Sequence, residues 1–344
     1  MSKFHSLREI ADVAGVSPST VSRSIAGDRT VSPEIQECIR NAAARLGVDL
    51  NEKAKSRILA FILSNRGVLH SFHSRILVGA EAYCAEKGYD LLLILSFQYD
   101  LNEPPKNLHL PQALYRRGLV RGVILTGTNS PGLLGLLSKK KVPFAVLGNN
   151  VIGEWEPQNY DMAYSDDTQG AYVITRYLQS AGHRDIWYIG NQQFPWFARC
   201  AQGYRRAMEE GGLVPRLSGI RSEHAQDVGY LYTKLILAQG EPVSAIFAGS
   251  DETAAGVYKA LLEFGRRIPE DVSVVGMGDV DATKLNPQLT TVREFPEQMG
   301  QHLAEMVISR IVHPDLPARQ ITIPSELVKR ESCSLVSVHT GAVK

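Results

Sequence analysis

The stretch SLREIADVAGVSPSTVSRSIAG, residues 6–27, predicts two short helices joined by a tight turn. Apolar residues before Gly15 recur at helical spacing, and Gly15 can take the positive φ at which a helix ends. Ser17 followed by Pro18 then combines an N-cap hydroxyl with a proline at the first helical position. The stretch therefore predicts a helical hairpin near the start of the chain.

The second predicted helix has side chains that suit contact with DNA. It turns Val21 and Ile25 inward and leaves mainly hydroxyl side chains and Arg23 on its other sides. This is the layout of a helix-turn-helix, whose second helix enters the major groove. Hydroxyl groups suit phosphate oxygens, and an arginine suits a guanine edge or a phosphate. Apolar spacing alone leaves an ordinary helical hairpin open as the alternative.

Residue identities in this stretch, and not only their spacing, match a known pattern. The string IADVAGVSPSTVSR at 10–23 resembles the N-terminal signature of the lactose-repressor (LacI/GalR) family of bacterial transcription regulators. GHRDI at 182–186, SAIFAGSDETAAG at 244–256 and NPQLTTV at 286–292 resemble further stretches of that family. The resemblance spans residues 7–330 and includes features of gluconate-type members. It implies a DNA-binding regulator.

The resemblance implies a helix-turn-helix headpiece over residues 1–50, completed by a third helix. Pro18, Ser19 and Arg23 are expected to face base edges. Thr20 and Ser22 are expected to contact phosphates. The headpiece would dock on one half of a near-palindromic operator, and a homodimer would match both halves. The candidate DNA-binding residues are Leu7, Ser17, Pro18, Ser19, Thr20, Ser22, Arg23, Ser24 and Arg29.

The linker after the headpiece departs from the family pattern. Family members usually carry a hinge helix here that inserts a leucine into the minor groove. This chain has only a short connection at 51–57, with no leucine at the corresponding place. Two interpretations stay open: a reduced hinge helix, or a plain charged linker. The second would leave a member of the family that has lost tight DNA binding.

From Ile58 onward, short apolar strands alternate with helices, which is typical of parallel sheets covered on both faces. We therefore expect an effector-binding and dimerisation domain over 58–340. The predicted fold class is a small all-α helix-turn-helix headpiece plus an α/β two-lobe periplasmic-binding-protein-like domain with two doubly wound parallel sheets. The resemblance implies that each lobe is discontinuous, lobe 1 over 58–162 and 293–321 and lobe 2 over 163–292 and 322–340.

Candidate effector-binding residues follow the strands, because ligands in such sheets bind outside the carboxyl ends of strands. Polar groups there would bond the hydroxyls of a sugar or sugar acid, and an aromatic ring would cover its C–H surface. Two departures from the family are visible. Cys200 stands where an arginine is common, and GMGD at 276–279, which ends at Asp279, stands where many members have Gly-aromatic-Asp-Asp. The candidates are Phe72, His73, Asn149, Arg199, His224, Ser250, Asp251 and Asp279.

Composition limits the other classes of function. The chain has 344 residues, 44% hydrophobic and 21% charged, with a net charge of +1, which is typical of an ordinary soluble protein. Neither a membrane-length apolar run nor an export signal is present, and the four separated cysteines suit a reducing cytoplasm. We expect no membrane association, cofactor or metal site. Phosphate-loop, nucleophile-elbow and zinc-protease motifs are lacking.

The sequence thus predicts a cytoplasmic, DNA-binding transcriptional repressor controlled by a small polar effector. Two other classes remain as alternatives. A sugar receptor of the periplasmic transport type shares the two-lobe fold, but the headpiece and the missing export signal oppose it. An enzyme on the same scaffold lacks every catalytic motif considered above.

Overall fold

The computed structural model describes residues 7–25, 28, 30–48, 56–66, 70–116, 118–222 and 224–336. The chain divides into two compact units: residues 1–58 with 112–121, and residues 59–111 with 122–344. No helix in the described part of the chain is long and apolar enough to cross a membrane.

The described secondary structure alternates helices and strands after an all-helical start. The helices are α1 (Leu7–Ala14), α2 (Pro18–Ile25), α3 (Pro33–Arg45), α4 (Ser71–Glu86), α5 (Gln112–Tyr115), α6 (Pro131–Lys139), α7 (Asp167–Ser180), α8 (Pro195–Glu210), α9 (Ala225–Ala238), α10 (Asp251–Glu263) and α11 (Pro296–Val312). The strands are β1 (Ile58–Ser64), β2 (Asp90–Phe97), β3 (Gly122–Gly127), β4 (Phe144–Leu147), β5 (Met162–Ser165), β6 (Ile186–Ile189), β7 (Arg216–Leu217), β8 (Ala245–Ala248), β9 (Ser273–Gly278), β10 (Thr290–Arg293), β11 (Gln320–Ile323) and β12 (Glu326–Val328).

Helices α1 to α3 of the first unit pack around a small apolar core. Ile10, Val21 and Ile39, one from each helix, are fully buried in it. Gly15 lies between α1 and α2 with a φ of 66°, as the turn requires. Ser32 caps α3 by accepting a hydrogen bond from the amide of the third helical residue. The predicted helix-turn-helix is confirmed, whereas the linker at 51–55 lies outside the described residues.

The second unit contains two sheets, each covered by helices on both faces. The first has the strand order β11–β5–β4–β3–β1–β2 and the second β12–β10–β9–β8–β6–β7. The described registers are parallel, except that β10 and β12 run antiparallel. Neighbouring residues of β8 show why the strands read as continuous apolar runs: Ile246 packs towards α9 and α10, and Phe247 packs towards α7 and α8.

The sheets define two lobes, and they correct the predicted boundaries between them. The chain crosses between the sheets after β5, after β10 and between β11 and β12. Each predicted break falls inside a strand, one to three residues before the strand ends. Ser165, for example, still pairs with Ile323 in the first sheet, because β5 continues the ladder beyond the predicted boundary at 162. The first segment of lobe 1 thus ends at Ser165.

Candidate functional site

The first unit presents an exposed polar face on α2. Ser19, Ser22 and Arg23 are exposed at helical spacings of three and four, so they share one side of the helix, while Val21 is buried. The Ser17 hydroxyl accepts a hydrogen bond from the Thr20 amide at 3.1 Å and therefore caps the helix. This side of α2 can approach a polyanion without disturbing the core.

The other candidate DNA contacts differ in their surroundings. Leu7 and Pro18 are exposed, whereas Thr20 and Ser24 are partly buried. The Thr20 hydroxyl also lies 2.8 Å from the Ser17 hydroxyl, so capping already occupies part of its hydrogen-bonding capacity. Arg29 lies outside the described residues.

A cleft of about 360 Å³ opens in the second unit where the carboxyl ends of the two sheets face each other. The first lobe contributes the start of α4 and the residues after β4, and the second lobe contributes the starts of α7, α8 and α10. This is the position expected for a ligand in a doubly wound fold. Of the predicted effector residues, the cleft is lined by Phe72, His73, Asn149, Ser250 and Asp251.

A hydrogen-bonded cluster around Asp167 forms the floor of this cleft. Asp167 is only 4% exposed and accepts hydrogen bonds from Arg199 Nε at 2.9 Å and from Asn149 Nδ2 at 2.8 Å. Its second oxygen accepts a bond from the Ser165 hydroxyl at 2.9 Å. Ser165 also bonds the carboxyl group of Glu294. The cluster joins residues of both lobes. The sequence reasoning missed Asp167 and Glu294.

One wall of the cleft is aromatic and was also missed. Phe194 and Trp196 stack with their ring centroids 4.8 Å apart, and the Arg66 guanidinium lies 4.6 Å from the Trp196 ring centroid. The run FPWF at 194–197 comes after the short loop 190–193 that follows β6, so its aromatic residues near a strand's carboxyl end were an available signal. Aromatic faces of this kind cover the apolar surface of a ligand.

Contacts between the lobes also lie at the cleft's rim. Arg66 belongs to the first lobe and Trp196 to the second, and the Ser71 hydroxyl of the first lobe donates to Asp281 Oδ2 of the second at 3.1 Å. The Lys284 ammonium lies 2.6 Å from the other oxygen of Asp281. These contacts hold the two sides of the cleft together.

Two histidines in the cleft are uncharged at neutral pH. Burial, together with the Arg66 charge, lowers the pKa of His70 to about 4, although Asp281 opposes the shift. Burial also holds the pKa of His73 well below its ordinary value. The rings lie within hydrogen-bonding distance of each other, Nδ1 of His73 being 3.1 Å from Nε2 of His70. They therefore supply neutral donors and acceptors.

Ser250 and Asp251 line the cleft but mainly hold the start of α10. The Ser250 hydroxyl accepts the Thr253 amide at 3.1 Å. Asp251 accepts the amides of Val280 and Asp281 at 2.7 and 3.0 Å. Burial raises the pKa of Asp251 to about 6 against the opposing effect of these amides. Its carboxylate oxygens are therefore largely committed within the protein.

The remaining predicted effector residues lie elsewhere, which corrects the prediction. Asp279 turns away at a φ of 57° and forms ion pairs of 2.6 Å with Arg293 and with Arg330. Arg199 is not among the described lining residues, and its guanidinium bonds Asp167 and the Asn149 carbonyl instead. His224 is exposed just before α9, outside the lining.

A helix-turn-helix unit followed by a two-lobed α/β body with a cleft between the lobes defines a DNA-binding regulator with a ligand-binding domain. Residues 6–48 match the bacterial regulatory proteins of the lacI family, and residues 175–333 match a periplasmic binding protein-like domain.

Two curated relatives match nearly the whole chain. It is 27% identical over 340 residues to the HTH-type transcriptional repressor PurR of Haemophilus influenzae (strain PittEE), covering 95% of this chain and 98% of that protein. It is 28% identical over 339 residues to the ribose operon repressor of Escherichia coli (strain K12), covering 95% of this chain and 99% of that protein.

Solved structures share the fold. The complex of the transcriptional regulator CelR with cellobiose has a TM-score of 0.69 at 28% identity, covering 95% of this chain and 99% of that one. The lac repressor dimer bound to operator and the anti-inducer ONPF has a TM-score of 0.70 at 22% identity, covering 96% and 99%. The chain thus combines a helix-turn-helix domain that matches the lacI family with a periplasmic binding protein-like domain, and it is similar to transcriptional repressors over nearly its whole length. The likeness to gluconate-type members stays a prediction.

Proposed function

We propose that this chain is a sequence-specific transcriptional repressor, which acts in the cytoplasm and whose operator affinity a small sugar-like effector controls. The observation that carries the DNA-binding part is the exposed face of α2, where Ser19, Ser22 and Arg23 project from a buried core. Pro18, Ser19 and Arg23 then read base edges. The hydroxyls of Thr20 and Ser22 bind phosphates. The repressor names of the two curated relatives support this function.

Replacement of Arg23 by alanine tests the base contact. We expect Arg23→Ala to weaken binding to an operator by ~1–3 kcal/mol, because a bidentate arginine contact to guanine is lost. Genomic fragments selected by the purified protein provide the operator, and fluorescence anisotropy measures the affinity. Arg40→Ala is the matched control, since Arg40 is an exposed arginine of α3 that pairs with Glu37. An equal loss on random DNA would contradict a base contact.

The charges of the cleft favour a neutral sugar over a sugar acid as the effector. Arg66 is the one arginine among the described residues that line the cleft, and its guanidinium lies over the Trp196 ring. Arg199, which could have held a ligand carboxylate, is already paired with Asp167. Carboxylates are more numerous in the lining, namely Asp167, Asp251, Glu252 and Asp281. A negatively charged ligand would therefore meet more negative than positive groups in the lining.

Trp196 allows this ligand class to be tested directly. We expect ribose or cellobiose to change tryptophan fluorescence on titration and gluconate to have little effect. Trp196→Ala should weaken binding of the active sugar roughly tenfold, because the ring covers part of the sugar's apolar surface. Trp155→Ala is the control, since Trp155 does not line the cleft. Preferential binding of gluconate would overturn the assignment.

We further propose a homodimer, because β2 leaves an apolar surface at the edge of the first sheet. Leu93 and Leu95 alternate on one face of β2 and are 44% and 37% exposed. Val78 of the adjoining α4 is 60% exposed. Natural proteins cover apolar edge strands of this kind. A second copy of the chain would cover it and pair two headpieces for a near-palindromic site.

A further inference from the structure

Two carboxyl groups on different crossovers share one hydroxyl group. Ser165 ends β5, and Asp167 follows it across the first crossover. Glu294 follows β10 on another crossover. The Ser165 hydroxyl lies 2.9 Å from Asp167 Oδ1 and also contacts Glu294 Oε1. The contact between Ser165 and Glu294 thus links the crossover after β5 to the crossover after β10.

A count of hydrogen atoms shows that this arrangement needs a proton. A serine hydroxyl has one hydrogen, so it can donate to one carboxylate and not to both. Asp167 is the better candidate for the charged form, because Arg199 lies 2.8 Å from its Oδ2. If Glu294 is protonated, its O–H donates to Ser165 Oγ, and the Ser165 O–H donates to Asp167. The contact of Glu294 with Ser165 and the contact of Ser165 with Asp167 then each contain one hydrogen atom.

The charges around Glu294 favour the same assignment. Burial and the neighbouring Asp167 charge raise the pKa of Glu294 to about 8, and the bond from Ser165 opposes this shift only partly. Asp251 of α10 adds a second negative neighbour, and Arg199 of α8 acts in the opposite direction. Cys200 is a thiol whose own pKa burial raises. Arg293, next in the chain, is engaged with Asp279.

We propose that Glu294 is a neutral carboxylic acid at neutral pH and that its proton ties two crossovers together through Ser165 to Asp167. Loss of the proton leaves two carboxylates competing for one hydroxyl hydrogen, which weakens the tie between the lobes at the floor of the cleft. Glu294 is therefore a positioning residue that makes the connection between the two lobes sensitive to pH. The effect requires neither an effector nor DNA.

The sign of the effect on stability follows from proton linkage. The folded protein keeps a proton on Glu294 that the unfolded chain, with an ordinary glutamate pKa near 4.5, has already lost. Stability contributed by this group is therefore complete at low pH and falls as pH rises towards about 8. Between pH 6 and 7.5, one extra proton in the folded state makes the unfolding constant rise about tenfold per pH unit.

The direct test is carbon NMR of the full chain labelled at the glutamate carboxyl carbon. We expect one resonance to titrate near pH 8 and to vanish in Glu294→Gln. In Ser165→Ala this resonance should titrate at higher pH, because the hydroxyl no longer stabilises the carboxylate. The absence of any glutamate carbon titrating above pH 6 in the unaltered protein would overturn the proposal, and this reading needs no variant to fold.

Urea unfolding gives an independent reading. The unfolding constant of the parent should rise relative to that of Glu294→Gln about tenfold per unit between pH 6 and 7.5, because the amide keeps a donor but cannot titrate. Glu252→Gln serves as the control, since Glu252 lines the cleft from an exposed position, and its profile should follow the parent. Parallel profiles for the parent and Glu294→Gln would show that Glu294 has only a structural role.

Discussion

Replacement of both Leu93 and Leu95 by aspartate is expected to convert a dimer into monomers and to weaken operator binding about 100-fold or more. The two leucines lie on one face of edge strand β2 and are exposed together with Val78. Two charges on each partner would then have to be buried without a counter-ion. Monomers lose the second headpiece as an intramolecular ligand, and such a loss costs roughly 10²–10⁴ in avidity.

Analytical ultracentrifugation gives the oligomeric state and anisotropy gives the DNA affinity of the same samples. Val214→Asp is the matched control, because Val214 is 76% exposed outside the described elements of both sheets. It should remain dimeric and bind as the parent does. A double variant that stays dimeric, or a monomer that binds the operator with unchanged affinity, would refute the assignment of this face.

Replacement of Asp167 by alanine is expected to destabilise the second unit by about 3 kcal/mol, because it leaves the Arg199 guanidinium without its counter-ion. Arg199 is 31% exposed, so solvent offsets part of the loss and the lower end of the usual range applies. The substitution also removes the acceptors for Asn149 and Ser165 at the cleft floor. We therefore expect sugar binding to be lost as well.

Chemical denaturation measures the stability, and tryptophan fluorescence measures sugar binding at a temperature where the variant is folded. Asp166→Ala is a close control, since Asp166 caps α7 by accepting the Gln169 amide and should cost about 1 kcal/mol. An equal loss of stability in Asp166→Ala and Asp167→Ala would show that the ion pair of Asp167 with Arg199 adds nothing beyond the effect of losing a carboxylate at the start of α7.

Much of the fold follows from local sequence patterns. GVILTG and SAIFAG predict buried strands, because every residue in such a run faces a covered side of a parallel sheet. The turn at Gly15 and the proline start at Pro18 predict α2 correctly, because both signals act within a few residues. The lobe boundaries were less accurate, since the end of a strand depends on its partner in the sheet.

The site was only partly predictable for a physical reason. Residues that follow strands, such as His73 and Asn149, were found because sheet topology alone brings them to the cleft. The contact of Ser165 with Glu294 joins positions 129 residues apart, and no local pattern specifies it. Asp279 has the expected place in the sequence, but its left-handed backbone turns it towards Arg293 and Arg330.

The contacts at the cleft's rim have a consequence for how a ligand enters. The Arg66 guanidinium lies over the Trp196 ring, and the Ser71 hydroxyl donates to Asp281. Each of these two contacts contributes only about 1 kcal/mol. Contacts of this strength break and re-form readily, so they present only a small barrier to opening of the cleft. Sugar exchange would then proceed without unfolding of either lobe.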